Sequence, residues 1–274
     1  MPEKPDYPEL EAARLNWRFT PADSCLAAKV ILVTGASDGI GRALAKTYAT
    51  FGAHVVLLGR TRAKLEVVFD WITTHTRTEP VIVPCDLAAL DEESGYALRD
   101  AIDDSFGRLD GIVHNASILG PKVPIAHYPA QQWQQVLQVN AFAPFLLTQV
   151  LLPVLEKSPN ASIVMISSSV GRKGRAYWGA YAVSKFALEG LTEVLADEHS
   201  HAGKIRINSL NPGGTRTAMR RAAYPAEDPA TLPNPEDRLD VALYLMTDSA
   251  IGVTGERFDA RSWDGPVDDG KSEQ

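Results

Sequence analysis

Short runs of apolar residues recur along the chain from residue 29 onward, and each run precedes a longer amphipathic stretch. The runs are rich in Val and Ile, which is typical of strands that are buried on both faces of a sheet. They predict strands at 29–34, 53–58, 80–84, 109–114, 163–168 and 205–210. The stretches between and after them predict helices at 39–51, 61–74, 91–106, 130–155 (one helix or two), 178–201 and 236–247.

Strands that alternate with helices predict a parallel sheet with helices on both faces. We therefore expect a single α/β domain with a Rossmann-type, doubly wound sheet of about seven strands, which binds ligands beyond the carboxyl ends of its strands. The domain is expected at 29–260, with a substrate lid around 215–235, where four prolines interrupt the pattern. Residues 1–28 predict an N-terminal arm that covers the sheet or contacts another subunit, and residues 261–274 a polar tail.

Composition narrows the classes of protein to consider. Apolar residues make up 45% of the 274 and charged residues 22%, and the net charge of −7 disfavours a nucleic-acid partner. The sequence shows neither a membrane-spanning run of roughly 18 apolar residues nor a secretory leader. Cys25 and Cys85 form no disulfide or metal pattern, and His199 and His201 lack further ligands, so no metal is expected. A cytoplasmic location fits these features.

A glycine-rich turn at 34–41 follows the first predicted strand and opens the next helix. Such a turn lets backbone N–H groups approach a diphosphate at the positive end of the helix dipole. The candidate contacts are Gly35, Ser37, Asp38, Gly39, Ile40 and Gly41.

Arg60 follows the second strand, where an acidic residue would bind the ribose hydroxyls of NAD. Its guanidinium can bind a 2′-phosphate instead. NADP(H) is therefore the preferred cofactor and NAD(H) the alternative, although Asp38 stands where a second basic residue would support NADP.

Two further pairs of residues follow the third and fourth strands at the same edge of the sheet. Asp86 and Leu87 follow the third, and Asn115 and Ala116 follow the fourth. Asp86 can accept a hydrogen bond from the adenine amino group, but an aspartate is also common in turns.

Ser168, Tyr181 and Lys185 form a candidate catalytic group. Tyr181 and Lys185 are four residues apart on a predicted helix, so the ammonium is expected beside the phenol and should lower its pKa. A phenol of this kind can act as an acid or base near neutral pH. Ser168, at the end of a strand, can hold a carbonyl oxygen. Because a Tyr-x-x-x-Lys pair is a weak signal by itself, the assignment depends on the glycine turn upstream.

Together with Asn140 and the segment 211–213, these motifs resemble the classical short-chain dehydrogenase/reductase family over residues 29–259. Segments 167–181 and 211–220 are also similar to a bacterial subgroup of NADP-linked oxidoreductases of undefined substrate. Two departures from the family pattern are Ser117, which replaces a glycine, and segment 252–260, which lacks a double glycine.

The resemblance implies a role for each matching residue. Tyr181 would be the general acid/base, Lys185 would lower its pKa and hold the nicotinamide ribose, and Ser168 would polarise the carbonyl. Asn140 would hold a water molecule in a proton relay. The implied cofactor contacts are Pro212, Gly213, Thr215 and Thr217 at the nicotinamide, Asn115 and Ala116 at the adenosine ribose, and Tyr181 and Lys185 themselves.

The expected activity is hydride transfer between NADP(H) and a small carbonyl or alcohol substrate. A non-catalytic NADPH-binding regulator is the alternative, although such proteins usually lose the tyrosine or the lysine. An epimerase or dehydratase of the extended branch would need a different glycine spacing and a larger C-terminal domain. A homodimer or homotetramer is expected through apolar positions of the helices at 130–155 and 178–201, including Phe186, Leu191, Val194 and Leu195.

Substrate specificity is expected to lie in segments 118–130 and 215–235. Aromatic and apolar residues there and nearby predict an apolar pocket lined by Tyr128, Trp178, Met219 and Tyr224. Arg172, Lys173 and Arg175 are interpreted as a solvated loop, with contact to an anionic substrate as the alternative.

Overall fold

Seven strands form one sheet in the computed structural model, which describes residues 6–266. The strands are Val30–Thr34 (β1), His54–Gly59 (β2), Val81–Pro84 (β3), Gly111–His114 (β4), Ala161–Ile166 (β5), Ile205–Asn211 (β6) and Arg257–Asp259 (β7). They lie in the order β3-β2-β1-β4-β5-β6-β7, and each neighbouring pair is parallel.

Nine α-helices within residues 6–266 surround this sheet. They are Pro8–Arg14 (α1), Gly39–Thr50 (α2), Arg62–His75 (α3), Glu92–Phe106 (α4), Ala130–Leu137 (α5), Ala143–Leu155 (α6), Gly179–His199 (α7), Ala218–Ala223 (α8) and Asp240–Met246 (α9). The predicted α/β, doubly wound fold with about seven strands is confirmed.

The strand side chains alternate between two apolar cores, one on each face of the sheet. Ile31 and Val33 of β1 pack with residues of α2, α3 and α9, whereas Val30 and Leu32 pack with residues of α4, α6 and α7. Because both faces are buried, the inner strands β1, β2 and β5 are nearly continuous apolar runs in the sequence.

The strand order places a crevice at the carboxyl end of β1. From β1 the chain runs outward to β2 and β3, and it then returns to β4 on the other side of β1 and continues outward to β5. The connections that follow β1 and β4 therefore run in opposite directions. The connections after neighbouring strands diverge there and leave room for a ligand.

The structure refines several predicted segments. Residues 130–155, expected as one helix or two, form two, α5 and α6, which are joined by a π-helical turn at Gln138–Phe142. By length and composition this segment could cross a membrane, but 56% of its most apolar window is buried inside the fold. Region 215–235 contains α8, and the helix expected at 236–247 is a 3-10 turn, Pro235–Arg238, followed by α9. β5 ends at Ile166, so Ser168 lies two residues beyond the strand.

The N-terminal segment packs against α3 and against the start of the Pro235–Arg238 turn. The rings of Tyr7 and Trp71 meet edge to face at 4.9 Å. The Tyr7 hydroxyl donates to the Glu236 carboxylate at 2.7 Å, and the Trp17 indole N–H donates to the Glu236 carbonyl at 3.1 Å. Residues 1–5 and 267–274, which belong to the predicted arm and tail, lie outside the described residues.

Candidate active site

A cavity of about 580 Å³ opens at the carboxyl ends of the strands. Its walls come from the turns that follow β1 to β6, so it extends from Arg60 after β2 to Ser168 after β5. Every catalytic or cofactor-binding candidate named from the sequence lines this cavity except Gly41 and Asn140.

The glycines of the first turn are there for steric reasons. Gly35 and Gly39 have φ angles of +67° and +50°, which favour residues without a Cβ. A Cβ on Gly41 would lie 2.2 Å from the Gly35 carbonyl oxygen and 2.4 Å from the Asn115 side-chain nitrogen. Gly41 therefore does not line the cavity, and its lack of a side chain allows the Gly35 carbonyl and the Asn115 amide to pack against it. The Asp38 carboxylate caps α2 by accepting the Gly39 N–H at 2.8 Å.

Asn115 and Thr34 join the turns that follow β1 and β4. The Asn115 amide donates to the Thr34 carbonyl at 2.9 Å. The Thr34 hydroxyl accepts the N–H groups of Asn115 and Ala116, both at 3.0 Å. The Asn115 side chain thus holds the glycine turn in place, a contact that the sequence did not indicate.

Two basic residues line the end of the cavity next to β2. Arg60 is exposed, as expected for a loop residue. Lys64, in the first turn of α3, was missed because a helical lysine is usually interpreted as surface charge. Its ammonium lies 3.3 Å from the Asp38 carboxylate. Asp38, which counted against a second basic residue at this position, therefore contacts one.

The remaining candidate cofactor residues form the opposite walls. Asp86 accepts the Ala88 N–H at 3.1 Å, so its carboxylate also orders its own turn, and Leu87 is mostly buried beside it. Pro212, Gly213, Thr215 and Thr217 follow β6. The Asn211 side chain accepts the Gly213 N–H at 3.1 Å.

Ser168, Tyr181 and Lys185 lie together at the inner end of the cavity. Tyr181 and Lys185 occupy successive turns of α7, and the Lys185 ammonium lies 5.6 Å from the centroid of the Tyr181 ring. Lys185 is 1% exposed and donates to the carbonyl of Ile166, the last residue of β5, at 2.7 Å. The Ser168 hydroxyl is close enough to the phenol to affect its pKa.

Burial dominates the ionisation of Tyr181. It raises the pKa of Tyr181 to about 12, although the hydroxyls of Ser168 and Ser117 act in the opposite direction. The expectation of a lowered phenol pKa is therefore wrong for the chain on its own. The loss of solvation destabilises the buried phenolate more than these two hydroxyls stabilise it. The Ser117 hydroxyl oxygen is buried, although the residue as a whole is only partly so, and it forms no well-aligned hydrogen bond with any residue in the described range. The family's glycine position thus carries a hydroxyl near the phenol.

The Lys185 ammonium is also affected by its surroundings. Burial lowers the pKa of Lys185 to about 8, even though the carboxylate of Glu189, one turn further along α7, acts in the opposite direction. Lys185 therefore titrates near physiological pH, unlike a lysine in water.

Asn140 lies in the π-helical turn and is fully buried behind the cavity wall. Its amide donates to the Ile118 carbonyl at 2.9 Å and to the Ser184 hydroxyl at 3.1 Å, and its carbonyl oxygen accepts the Ile118 N–H at 2.8 Å. The Ser184 hydroxyl in turn donates to the Tyr181 carbonyl at 2.8 Å. Asn140 therefore connects the loop after β4 to the turn that carries Tyr181.

Glu189 is the centre of a buried polar network that the sequence did not indicate. Its carboxylate accepts hydrogen bonds from Ser167 at 2.5 Å and Ser209 at 2.7 Å, and it pairs with Arg172 at 3.2 Å and Arg257 at 3.4 Å. The solvated-loop interpretation is therefore wrong for Arg172, which also donates to the Phe258 carbonyl. A glutamate four residues after Lys185 was the available signal.

The end of the cavity where a substrate was expected is apolar in part. Trp178 and Met219 line it, as predicted. Tyr128 does not, because its ring packs against the backbone of Gly120 and Gly179. Tyr224 lies at the rim, with its ring 5.9 Å from that of Trp178.

Metal ligands do not converge in the part of the chain that the structure describes, where no group of three or more His, Cys, Asp and Glu could hold an ion.

Comparisons with known proteins agree with this geometry. Residues 29–228 match the family model for short chain dehydrogenase. The chain is 49% identical to the uncharacterized oxidoreductase YciK of Escherichia coli K12, over 89% of this chain and 96% of that protein.

Solved structures give the same result. A short chain dehydrogenase from Shigella flexneri complexed with NADP is 49% identical, with a TM-score of 0.85 over 88% of this chain and 100% of that one. One from Escherichia coli CFT073 complexed with NADPH is 50% identical, with a TM-score of 0.86 over the same shares. We conclude that this chain is a member of the short-chain dehydrogenase/reductase family of oxidoreductases.

Proposed function

We propose that this oxidoreductase transfers a hydride between NADP(H) and a carbonyl or alcohol substrate, with Tyr181 as the general acid/base. The observation that carries the proposal is the convergence of Ser168, Tyr181 and Lys185 at one end of a cavity whose other end is a glycine turn. The same cavity can therefore hold a dinucleotide and place its nicotinamide end beside the hydroxyls of Ser168 and Tyr181.

The residues present fit an NADP(H) molecule. The close approach of Gly41 to Gly35 brings the start of α2 to the cavity, where a diphosphate would lie among Ser37, Asp38, Gly39 and Ile40. The Gly39 N–H is taken by Asp38, so the next N–H groups of the helix would face the diphosphate. Arg60 and Lys64 would bind the 2′-phosphate, which supports NADP(H) over NAD(H). Adenine would lie against Asp86 and Leu87 with its ribose near Asn115 and Ala116, and the nicotinamide against Pro212, Gly213, Thr215 and Thr217.

In reduction, NADPH supplies the hydride and the protein supplies the proton. With a pKa raised to about 12, Tyr181 is protonated near neutral pH, so it can donate its proton to the carbonyl oxygen while Ser168 donates a second hydrogen bond to that oxygen. Lys185, fixed by the Ile166 carbonyl, places a positive charge beside the phenol and favours the phenolate that remains. A water molecule near Asn140 would return the proton to Tyr181.

A non-catalytic NADPH-binding regulator is the other candidate, since the cavity would serve it equally well. The retained tyrosine, lysine and serine favour catalysis. A panel of aldehydes and ketones mixed with NADPH distinguishes the two, because an enzyme consumes the cofactor, as seen in its absorbance, and a regulator does not.

The chain also presents an apolar face for self-association. Five large apolar side chains on α6, on α7 and at the end of the π-helical turn are 42–55% exposed: Phe142, Phe145, Val183, Phe186 and Val194. Leu195, by contrast, is buried in the chain's own core, and Leu191 packs against it. We propose that this face pairs with a second copy in a homodimer or homotetramer.

A further inference from the structure

Three cationic side chains surround one aromatic ring at the rim of the cavity. The Lys122 ammonium lies 4.4 Å from the centroid of the Tyr224 ring, and the Arg220 guanidinium lies 3.9 Å from it. Arg175 lies 3.4 Å from the Tyr224 hydroxyl. We call these four residues the cationic rim; the proposed hydride transfer uses none of them.

The cationic rim has excess positive charge. Glu227 pairs with Arg220 through two contacts of 2.6 Å, which leaves the charges of Lys122 and Arg175. An ammonium has three donors, and Lys122 uses one on the Ala223 carbonyl at 2.7 Å. The chain as a whole has a net charge of −7, so this local excess opposes the general trend.

The cationic rim is also near the reacting groups. Arg220, Ala223 and Trp178 line the cavity. The Trp178 ring centroid lies 5.6 Å from that of Tyr181 and 4.7 Å from the Lys122 ammonium. These two distances limit the separation of the Lys122 ammonium from the Tyr181 ring to about 10 Å. Lys122, Arg175 and Tyr224 lie just outside the cavity lining, next to Trp178 and Arg220. A substrate whose carbonyl lies at Tyr181 would therefore meet Lys122 with a group that extends past Trp178.

We propose that the cationic rim binds an anionic group, a carboxylate or phosphate, on the carbonyl substrate. This inference rests on the proposed hydride transfer. Lys122 lies half-buried between the rings of Trp178 and Tyr224, where the lowered dielectric strengthens its attraction to an anion. Charge attraction to the rim would also speed the entry of an anionic substrate and weaken with added salt.

Lys122 also ties the loop after β4 to α8 through Ala223. If this hydrogen bond were the only role of Lys122, its loss would lower kcat/KM for neutral and anionic substrates alike. The ratio between matched substrates is therefore the quantity to measure.

The test uses 4-carboxybenzaldehyde and its neutral counterpart, methyl 4-formylbenzoate. With NADPH, the wild-type protein should reduce the acid with a kcat/KM at least about tenfold higher than the ester, as expected for a charge-assisted contact. Binding of both compounds to the NADPH complex of Tyr181→Phe, measured by calorimetry, should show the same preference without depending on turnover.

Arg175→Met and Lys122→Met should each lower the preference for the acid several-fold while the KM for NADPH stays unchanged. Lys173→Met is the matched control, since it removes an exposed charge from the same loop as Arg175. Equal binding of acid and ester by wild type, or an equal loss for both in the variants, would overturn the anion site. Turnover retained by Tyr181→Phe would instead contradict the proposed function and leave the binding ratio as the measure of the inference.

Discussion

Lys185 and Glu189 show how a buried carboxylate can act on a residue at a proposed reaction centre without touching substrate. Burial lowers the pKa of Lys185 to about 8, and without the opposing effect of Glu189 it would fall further. Glu189 also binds Ser167, which lies between the Ile166 carbonyl that holds Lys185 and the Ser168 hydroxyl. We therefore regard Glu189 as a positioning residue for both.

Glu189→Gln should move the alkaline limb of the pH–rate profile to lower pH. Removing the carboxylate lowers the pKa of Lys185, and the unpaired Arg172 and Arg257 act in the same direction, so the ammonium is lost earlier as the pH rises. The measurement is kcat/KM between pH 6 and 10. Glu193→Gln is the control, because Glu193 also pairs with Arg257 but is 56% exposed and one turn further from Lys185. A limb that stays in place in a folded Glu189→Gln protein would contradict this role.

Arg60→Met should change the cofactor preference. One charge-assisted contact with a phosphate is worth about 1.5–3 kcal/mol, so kcat/KM for NADPH should fall roughly 10- to 100-fold while that for NADH stays within about twofold. Arg62→Met is the control, because Arg62 is 68% exposed and pairs with Glu66. An equal loss with both cofactors would show that Arg60 does not contact the 2′-phosphate.

At the residue scale, the sequence revealed those site residues that belong to a recognisable local pattern. The glycine turn, Arg60 and the Tyr181–Lys185 pair were visible because each occupies a fixed position relative to a strand end or a helical turn. Lys64, Ser117 and Glu189 were not assigned roles, since their partners are set by tertiary packing across distant segments. The predicted shift in the pKa of Tyr181 was wrong in direction. Burial raises this pKa more than the neighbouring hydroxyls lower it, and burial cannot be inferred from sequence spacing.

At the element scale, β4 and α6 are joined by a buried histidine. His114, the last residue of β4, contacts the Thr148 hydroxyl of α6 at 2.9 Å through Nε2. Burial lowers the pKa of His114 from 6.5 to about 3. In the unfolded chain His114 binds a proton near pH 6.5, whereas in the folded chain it stays neutral.

Folding stability should therefore be fully present above pH 6.5 and fall as the pH drops toward 3. The loss from His114 is about 1.4 kcal/mol for each pH unit. Urea unfolding of His114→Gln between pH 7 and 4 should show a shallower pH dependence than that of wild type, even if the variant is less stable throughout. His201→Gln, which alters an exposed histidine, should keep the wild-type slope. Identical slopes for all three proteins would refute a neutral buried His114.

The strands and long helices were predicted well because apolar runs and helical periodicity are local signals. The elements that were missed lack such a signal. α8 has only six residues, which is too short for a clear helical periodicity. β7 has only three residues, and none of them is fully buried. The π-helical turn is set by the buried bonds of Asn140 to Ile118 and Ser184, which the sequence does not reveal.

At the scale of the whole molecule, the apolar face of α6 and α7 predicts self-association. Light scattering should give a mass of two or four chains, and Phe186→Glu should shift it toward one chain because a buried charge without a partner is costly. Val67→Glu places the same charge at a 65% exposed site on α3 and should leave the mass unchanged. A mass of one chain at all concentrations of wild type would contradict the proposed assembly.

The fold as a whole explains why distant motifs form one site. Six strand ends meet at one edge of a parallel sheet, so residues from 35 to 223 line the same cavity. The fold and the position of the site therefore followed from the order of the elements, whereas the substrate depends on side chains around Trp178 and Tyr224 whose contacts no local pattern sets.

The central claim is that Tyr181 transfers the proton that accompanies hydride transfer. The most direct test compares NADPH oxidation by wild type and Tyr181→Phe with one reducible aldehyde, after NADPH fluorescence has shown that both bind the cofactor equally. The rate should fall at least about 10²-fold in the variant, the usual contribution of a positioned general acid. An unchanged rate with cofactor binding intact would contradict the assignment.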